Sequence, residues 1–362
     1  MSPAFDPALE PRLPYAHLLR LSDDIGVVEH ARGLEPRTHT GYCVDDVARA
    51  VVVLARDEAL PDALLPYVLT FVDFVVSAVA ADGRVHNRRP YGSRSWSDEP
   101  SCGDWWGRAL WALGVVVRFG RDPSGRALRA FDRGAGRRSG DLRAMAYAGL
   151  GAAEVLRRHP AHATARSLLE SATAQVVRTA DAATDTAADP DWPWPEPRLR
   201  YANAVLPEVL VLGGELLGDR DLLRRGTDLL AWLLGVETGP AGHLSVTPVA
   251  GWAAGEPRPG FDQQPIEVAA LAEACAQAFA VTGEDRWRAA VVLAEEWFDG
   301  RNDVGVPLAD AASGGGHDGL TSSGVNDNEG AESTLALLAV RQLARKVAPT
   351  RRCVAGEDAR SA

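Results

Sequence analysis

Six stretches of this chain share one arrangement, in which a polar loop leads directly into a long and almost wholly apolar helix. These stretches lie near residues 47, 107, 144, 204, 267 and 332, and amphipathic segments separate them, at a spacing of roughly 40 to 65 residues. A helix that is apolar on every side must be surrounded by protein, whereas an amphipathic helix keeps one face in water. The pattern therefore predicts six helical hairpins, each with a buried inner helix and an outer partner.

Six hairpins of this kind favour an all-α fold closed into a ring, the (α/α)6 toroid, because a ring encloses every inner helix. We expect one domain over residues 12–346, short rim strands around His243 to Trp252, and a disordered tail over 347–362. The first segment, over about 14–30, is expected to form a helix followed by Ser22-Asp23-Asp24, a possible cap for a second turn. An open helical solenoid is the alternative. Uneven loop lengths and the absence of a strict sequence repeat argue against it.

Charge and cysteine usage exclude several functions. The net charge of -11 argues against nucleic acid or an anionic membrane as partner. The chain starts without a basic, apolar leader and contains no run of about 18 apolar residues, so we expect a cytoplasmic protein. The four cysteines lie far apart, and no histidine pair has metal-ligand spacing, so we expect no disulfide framework, no metal and no cofactor.

In a ring, the polar openings of the inner helices meet at one end. Pyranose rings present apolar faces to aromatic side chains and hydroxyl groups to polar ones, and cleavage of a glycosidic bond needs two carboxyl groups in unlike protonation states. The candidate catalytic residues are Asp46, Asp104, Asp262 and Glu332. The candidate substrate-binding residues are His39, Tyr42, Asp45, Arg49, Trp105, Trp106, Arg108, Trp194, Tyr201, Asn203, Gln263, Gln264, Glu267, His317, Asp318, Asn326 and Asn328.

Local structure leaves alternatives open for several of the acids. Asp45 and Asp46 are consecutive and point about 100° apart on a helix, so we expect only one to face substrate squarely, and the pattern does not say which. Asp104 is either catalytic or an N-cap, and Asp262 is either a cap or the acid of the fifth opening. Glu267, one turn into that helix, is expected to support its neighbours.

Four motifs resemble a known family: HTGYCVDDVARA at 39–50, GRALWALG at 107–114, FDQQPIE at 261–267, and GAES at 330–333 with two asparagines just before it. They resemble bacterial proteins found alone or fused behind glycosyltransferase domains, a family grouped with the six-hairpin (α/α)6 glycosidases. The resemblance covers about residues 12–346. It implies a toroid, an oligosaccharide or glycoside substrate, and association with a glycosyltransferase. The chain departs from the family at Asp104, where relatives often have a Glu-Asp-Ser-His sequence.

Together these observations predict a carbohydrate-active enzyme. The leading hypothesis is a glycoside hydrolase that uses two of the four candidate acids, with inversion expected by analogy with the architecture. A sugar epimerase or isomerase of the same fold is an alternative, although that chemistry uses histidines as proton carriers and few fall on the predicted inner helices. The third hypothesis is a non-catalytic glycan-binding module.

Overall fold

The computed structural model describes residues 15–186 and 191–348, and helices dominate these ranges. Six of the helices form an inner ring: α2 (Val44–Arg56), α4 (Asp104–Phe119), α6 (Leu142–Arg158), α8 (Val205–Leu217), α10 (Pro265–Thr282) and α12 (Ala331–Val347). Six others lie outside them: α1 (Ala16–Arg20), α3 (Leu65–Ala78), α5 (Arg126–Ala135), α7 (Ala163–Thr186), α9 (Arg220–Val236) and α11 (Asp285–Phe298).

The ring is closed. Each inner helix packs on the next, from α2 through α4, α6, α8 and α10 to α12, and α12 packs in turn on α2. Every inner helix also has an outer partner, and the short α1 from the start of the chain serves as the partner of α12. The predicted (α/α)6 toroid is confirmed, and the contact between α12 and α2 is incompatible with an open solenoid.

Glycines allow α4 and α6 to approach each other closely. A Cβ atom on Gly114 would lie 2.3 Å from the carbonyl oxygen of Gly151, and one on Gly107 would lie 2.3 Å from that of Ala144. Backbone atoms cannot move aside as flexible side chains do. The close contact of these two inner helices therefore depends on the absence of side chains at these positions.

The starts of the inner helices agree with the sequence in some details and differ in others. Asp141 caps α6, accepting hydrogen bonds from two backbone N–H groups, and Pro265 begins α10, where its missing N–H has no partner to lose. Asp262 is not a cap, since the N-cap of α10 is Gln264. Asp104 is the first helical residue of α4, after the N-cap Gly103, so its carboxylate is available for other contacts.

Three short antiparallel strand pairs occur in the described ranges: β1 (Ala31–Arg32) with β2 (Glu35–Pro36), β3 (Tyr42–Cys43) with β4 (Arg88–Arg89), and β5 (Leu320–Thr321) with β6 (Gly324–Val325). The predicted pair around His243 to Trp252 is wrong. Leu244 bridges Thr238 and Trp252 bridges Leu199 instead, because Pro248 has no N–H to donate to a partner strand.

Of the described helices, α10 alone is long and apolar enough, by length and composition, to cross a membrane, with a mean hydropathy of 1.2. It is an inner helix of the ring, and 61% of it is buried, as in a core helix.

The ends of the predicted domain lie only partly within the described residues. The predicted tail begins at Val347, but Val347 is the last residue of α12. Residues 349–362 lie outside the described part of the chain, as do residues 12–14.

Candidate functional site

A cavity of about 640 Å³ lies at the end of the ring where the inner helices begin. All six openings contribute to its wall, and helix N-termini favour the carboxylates placed there. The lining residues are Glu29, His30, Cys43, Asp45, Asp46, Arg49, Asn87, Arg88, Gly103, Asp104, Trp105, Arg108, Asp141, Tyr201, Gln264, Ile266, Asp318, Gly330 and Glu332. The structure thus brings together three of the four candidate catalytic acids.

Arg49 joins two of these acids. Its Nη1 lies 2.6 Å from Oδ1 of Asp46, in the same helix, and its Nη2 lies 2.6 Å from Oε2 of Glu332, at the start of α12. The side chain of Asp46 is 4% exposed, whereas that of Glu332 is 32% exposed. Glu332 is therefore the member of this group that a ligand in the cavity can reach most easily.

Asp46 has an unusual proton affinity. Burial raises its pKa to about 7, against the opposing charge of Arg49 and with a further contribution from the charge of Glu332. Cys43 donates a hydrogen bond from Sγ to the second carboxyl oxygen at 3.1 Å. Near neutral pH, Asp46 is therefore protonated in part of the molecules and can serve as a proton donor.

Asp45 and Arg108 offer complementary polar atoms to the cavity. Asp45 Oδ1 lies 3.2 Å from Arg108 Nε, yet neither atom has a hydrogen-bond partner. The Arg108 guanidinium is held 4.2 Å from the ring centre of Tyr147. Both of these atoms are buried, so a ligand reaches the pair through the rest of the Asp45 carboxylate, whose side chain is 20% exposed and can accept a hydrogen bond from a sugar hydroxyl. Both Asp45 and Asp46 line the cavity, and Asp45 is the more exposed.

Asp104 is held by Tyr201, which donates a hydrogen bond to it from the phenol. Burial and the nearby charge of Asp104 raise the pKa of Tyr201, so the phenol keeps its proton. Below the ring lies Arg143, 1% exposed, with its guanidinium 5.1 Å from the ring centre and a 3.0 Å bond to the Asn203 side chain. Arg143 and Asn203 therefore position Tyr201 rather than contact the cavity.

The fifth opening turns most of its polar residues away from the cavity. Asp262 is exposed and lies outside the cavity lining. Gln263 is fully buried, donating to the Gly260 carbonyl at 2.8 Å and to Asp303 at 2.5 Å. Only Gln264, the N-cap of α10, and Ile266, in the first turn of that helix, reach the lining.

Glu267 ties two openings together from beneath the cavity. It is 3% exposed and accepts hydrogen bonds from the Ala202 N–H and from the Asn203 side chain, the latter at 3.1 Å. Burial, with the nearby charge of Glu237, raises the pKa of Glu267 well above its ordinary value. Its supporting position agrees with the expected one, but its partners belong to the fourth opening.

Three of the aromatic candidates are core residues rather than cavity residues. Tyr42 is fully buried and donates its hydroxyl to Asp23 at 2.5 Å. Trp106 is fully buried and donates to the Gly134 carbonyl at 3.2 Å, and Trp194 is 1% exposed. Sugar stacking by these three rings is excluded, because their faces are covered by protein.

The remaining loop candidates divide between the lining and its surroundings. Asp318 lines the cavity, and burial, followed by the charge of Glu332, raises its pKa. His39 is exposed, and His317 and Asn326 are partly buried, all three outside the lining. Asn328 also lies outside the lining, and its side chain contacts the lining residue His30.

Sequence reasoning missed a group of lining residues that come from outside the six openings. Glu29 and His30 lie in the loop after α1, which ends at Arg20, before Ser22-Asp23-Asp24 as expected, and no second helical turn follows. Arg88 reaches the cavity through the pairing of β4 with β3 and binds Glu29 at 2.7 Å. No local signal identifies these residues, because the loop is placed by long-range contacts such as the hydrogen bond from the Ala331 N–H to the Glu29 carbonyl.

One group of lining residues has the spacing of a metal site. The ligand atoms of Glu29, Cys43 and Asp46 lie within 4.8 Å of one another. Burial, however, raises the pKa of the Cys43 thiol well above its ordinary value, and only a thiolate binds metal well. Arg88 and Arg49 already pair with the two carboxylates. This donor set does not fit a metal ion.

No protein-family model matches the chain, and no curated protein matches its sequence. Solved structures do match. A sugar epimerase from a ruminal bacterium has a TM-score of 0.65 at 14% identity, covering 92% of this chain and 95% of that chain. A D-mannose isomerase also has a TM-score of 0.65, at 10% identity and the same coverage. A glycoside hydrolase family 76 α-mannanase from Bacteroides thetaiotaomicron has a TM-score of 0.59 at 10% identity, covering 93% and 97% of the two chains.

At these identities the likeness establishes the fold alone, and membership of the bacterial family that the motifs resemble stays a prediction. The protein has the six-hairpin (α/α)6 toroid that occurs in sugar epimerases, sugar isomerases and glycoside hydrolases.

Proposed function

We propose that this protein is an enzyme that epimerises or isomerises a reducing sugar in the cavity. The observation that carries the proposal is the placement of His30 in the cavity lining, beside carboxyl groups from α2 and α12. A histidine near neutral pH can exchange a proton or donate a hydrogen bond to a carbonyl oxygen, and this reaction needs such a donor beside a carboxylate base. The objection that the predicted inner helices hold few histidines loses its force, since His30 comes from a loop. The near-complete mutual coverage with a sugar epimerase and a sugar isomerase supports the same class.

The reaction needs a base and a hydrogen-bond donor but no added reagent. The open-chain sugar loses the proton on the carbon beside its carbonyl group to the base, while the donor stabilises the charge that develops on the carbonyl oxygen. The resulting enediolate takes the proton back. Return to the former carbonyl carbon, with transfer of the adjacent hydroxyl proton to the former carbonyl oxygen, gives the aldose–ketose isomer. Return to the opposite face of the original carbon, after rotation of the intermediate, gives the epimer.

Glu332 is the base in this proposal. Its side chain is 32% exposed at the cavity, and Arg49 holds it in place. Asp318 lines the same cavity as Glu332 and His30. His30 then faces the carbonyl oxygen, Asp45 accepts a hydrogen bond from a hydroxyl group, and the half-buried ring of Trp105 packs on the sugar.

Glycoside hydrolysis is the second candidate, and a different observation favours it. Asp46, with its pKa raised to about 7, and Glu332 contact the same guanidinium. Two neighbouring carboxyl groups in unlike environments are what a glycosidase requires. In that reaction Asp46 would protonate the leaving oxygen, and Glu332 would activate water.

One experiment separates these reactions. The protein is incubated in D2O with a panel of aldoses, ketoses and disaccharides, and proton NMR follows each sugar. An epimerase or isomerase places deuterium on the carbon beside the carbonyl and produces a new sugar. Glu332→Gln and His30→Gln should each lower the rate by about 10²-fold or more. His159→Gln, at an exposed position at the far end of α6, should leave the rate unchanged.

Release of new reducing ends without deuterium exchange would replace this proposal with hydrolysis. Sugar binding in calorimetry without turnover of any panel member would favour the glycan-binding module instead.

A further inference from the structure

We propose that Asn328 is a positioning residue that holds neutral His30 with its proton on Nε2. His30 then acts as a hydrogen-bond donor to the sugar oxygen and not as the base. The catalytic part of this inference rests on the proposed function, whereas the protonation pattern of the ring follows from the geometry alone.

The orientation of the Asn328 amide follows from its first partner. Its Oδ1 accepts a hydrogen bond from the backbone N–H of Ala31 at 3.1 Å. A backbone N–H can only donate, so the amide atom that faces it must be the oxygen. The amino end of the same amide therefore points the other way.

That amino group, Nδ2, lies 3.3 Å from Nδ1 of His30. An amide NH2 only donates, so Nδ1 must accept and carries no proton. The single proton of the neutral ring is then on Nε2. A proton on Nδ1 would face the amino group, leaving two donors in contact with no acceptor between them.

The two segments involved are fixed to each other by backbone hydrogen bonds. The Glu29 carbonyl, one residue before His30, accepts from the Ala331 N–H at 2.9 Å, and the Asn328 carbonyl accepts from the Asp318 N–H at 2.8 Å. The contacts of the amide itself, with the Ala31 N–H at one end and His30 Nδ1 at the other, hold its orientation between these segments. The structure therefore sets the state of the ring before substrate binds.

The arrangement divides the chemical roles. Nδ1 is occupied by Asn328, and Nε2 already carries its proton, so neutral His30 has no lone pair to offer to a carbon-bound proton. It can donate from Nε2 to the carbonyl oxygen and stabilise the developing charge. The base must then be a carboxylate, which agrees with the assignment of Glu332.

The test uses uniformly ¹⁵N-labelled full-length protein and two-bond ¹H–¹⁵N correlation spectra of the histidine rings at neutral pH. His30→Gln identifies the His30 signals by their disappearance. In the unmodified protein we expect an unprotonated Nδ1 and a protonated Nε2. In Asn328→Asp the carboxylate accepts from Ala31 and can also accept from the ring, so we expect Nδ1 to become protonated. Asn326→Asp, in the same loop, should keep the original pattern.

A protonated Nδ1 in the unmodified protein would overturn the inference, whatever the activity. So would an unchanged ring in Asn328→Asp. If Asn328→Asp does not fold, Asn328→Ser replaces it, since a hydroxyl can donate or accept and should give a mixture of both tautomers; a single unchanged tautomer there would also contradict the role of Asn328.

The activity measurement separates this inference from the proposed function. With an active enzyme, Asn328→Asp should lower kcat by about tenfold or more and change KM less. If the unmodified protein shows the expected ring pattern but exchanges no deuterium into any sugar, the proposed function fails and the assignment of the ring proton stands.

Discussion

Arg49 and Glu332 form an ion pair across the seam of the ring, with 2.6 Å between Nη2 and Oε2. Arg49 lies in the second turn of α2 and Glu332 in the first turn of α12, so the pair joins the first and last inner helices at the floor of the cavity. The same guanidinium binds Asp46 at 2.6 Å. One side chain thus contributes to ring closure and to the arrangement of the site.

Arg49→Met should lower the free energy of unfolding by about 3–5 kcal/mol, because it leaves the buried Asp46 and the partly exposed Glu332 close together without their shared cation. Denaturant unfolding measures the loss. The control is Arg32→Met, which breaks a pair with Asp327 whose side chains are 77% and 66% exposed, and should cost less than about 1 kcal/mol. Similar losses in the two variants would show that the pair at the seam has no special importance.

Asp46 should make stability depend on pH. Its pKa rises from an ordinary value of 3.8 to about 7 on folding, so between these values the folded protein holds a proton that the unfolded chain has released. Its contribution is present below about pH 4 and is lost as the pH rises through 7, at roughly 1.4 kcal/mol per pH unit at most. We expect the free energy of unfolding of Asp46→Asn, measured from pH 4 to 8, to depend less steeply on pH than that of the unmodified protein, by the uptake of one proton. The exposed control Asp262→Asn should retain the slope, and equal slopes in the two variants would contradict the shift.

Two adjacent tryptophans should respond differently to truncation. Trp105 lines the cavity and is only partly buried, so Trp105→Ala should weaken sugar binding about tenfold, the equivalent of about 1.4 kcal/mol, through lost stacking. Trp106 is fully buried, and Trp106→Ala should lower stability by about 3–5 kcal/mol. Calorimetric titration and thermal unfolding measure the two effects. If neither variant loses affinity for the sugar, the sugar binds elsewhere.

The contact between α4 and α6 should tolerate no added methyl group. Gly114→Ala places a Cβ 2.3 Å from the Gly151 carbonyl oxygen, and we expect a loss of about 1–3 kcal/mol or more. Gly235→Ala is the matched control, because this helical position in α9 has nothing within 4 Å of the added atom. It should gain up to about 1 kcal/mol from higher helix propensity. A neutral result at Gly114 would mean that the two helices can separate without cost.

Much of the fold could be predicted because the signals are local. The apolar content of α2, α4, α6, α8, α10 and α12 is visible in each segment by itself, and Pro265 identifies the start of α10 from its own chemistry. The course of the loop after α1 could not be predicted in this way, because it depends on contacts with distant residues, such as the packing of Gly26 against the rings of Phe74 and Tyr42. In the failed strand pair near His243, Leu244 pairs with the nearby Thr238, but Trp252 pairs with the distant Leu199.

The site could be predicted in part for a related reason. Asp45, Asp46, Asp104 and Glu332 were identified because they open inner helices and a closed ring gathers those openings at one end. Gln263 and Trp106 belong to the same openings but face the core, since their direction depends on how each helix is rotated against its neighbours. His30 could not be found in this way, because it belongs to a loop that only the folded chain brings to the cavity.

The sequence by itself determined that six enclosed helices begin in acidic and aromatic loops, since burial on all sides requires an apolar surface on all sides. Only the tertiary structure decided which of those acids share a cavity, which rings are covered, and that Asn328 and His30 meet across 298 positions of the chain. The physical reason is that side-chain direction and long-range loop contacts depend on packing between segments, and no local pattern of residues encodes that packing directly.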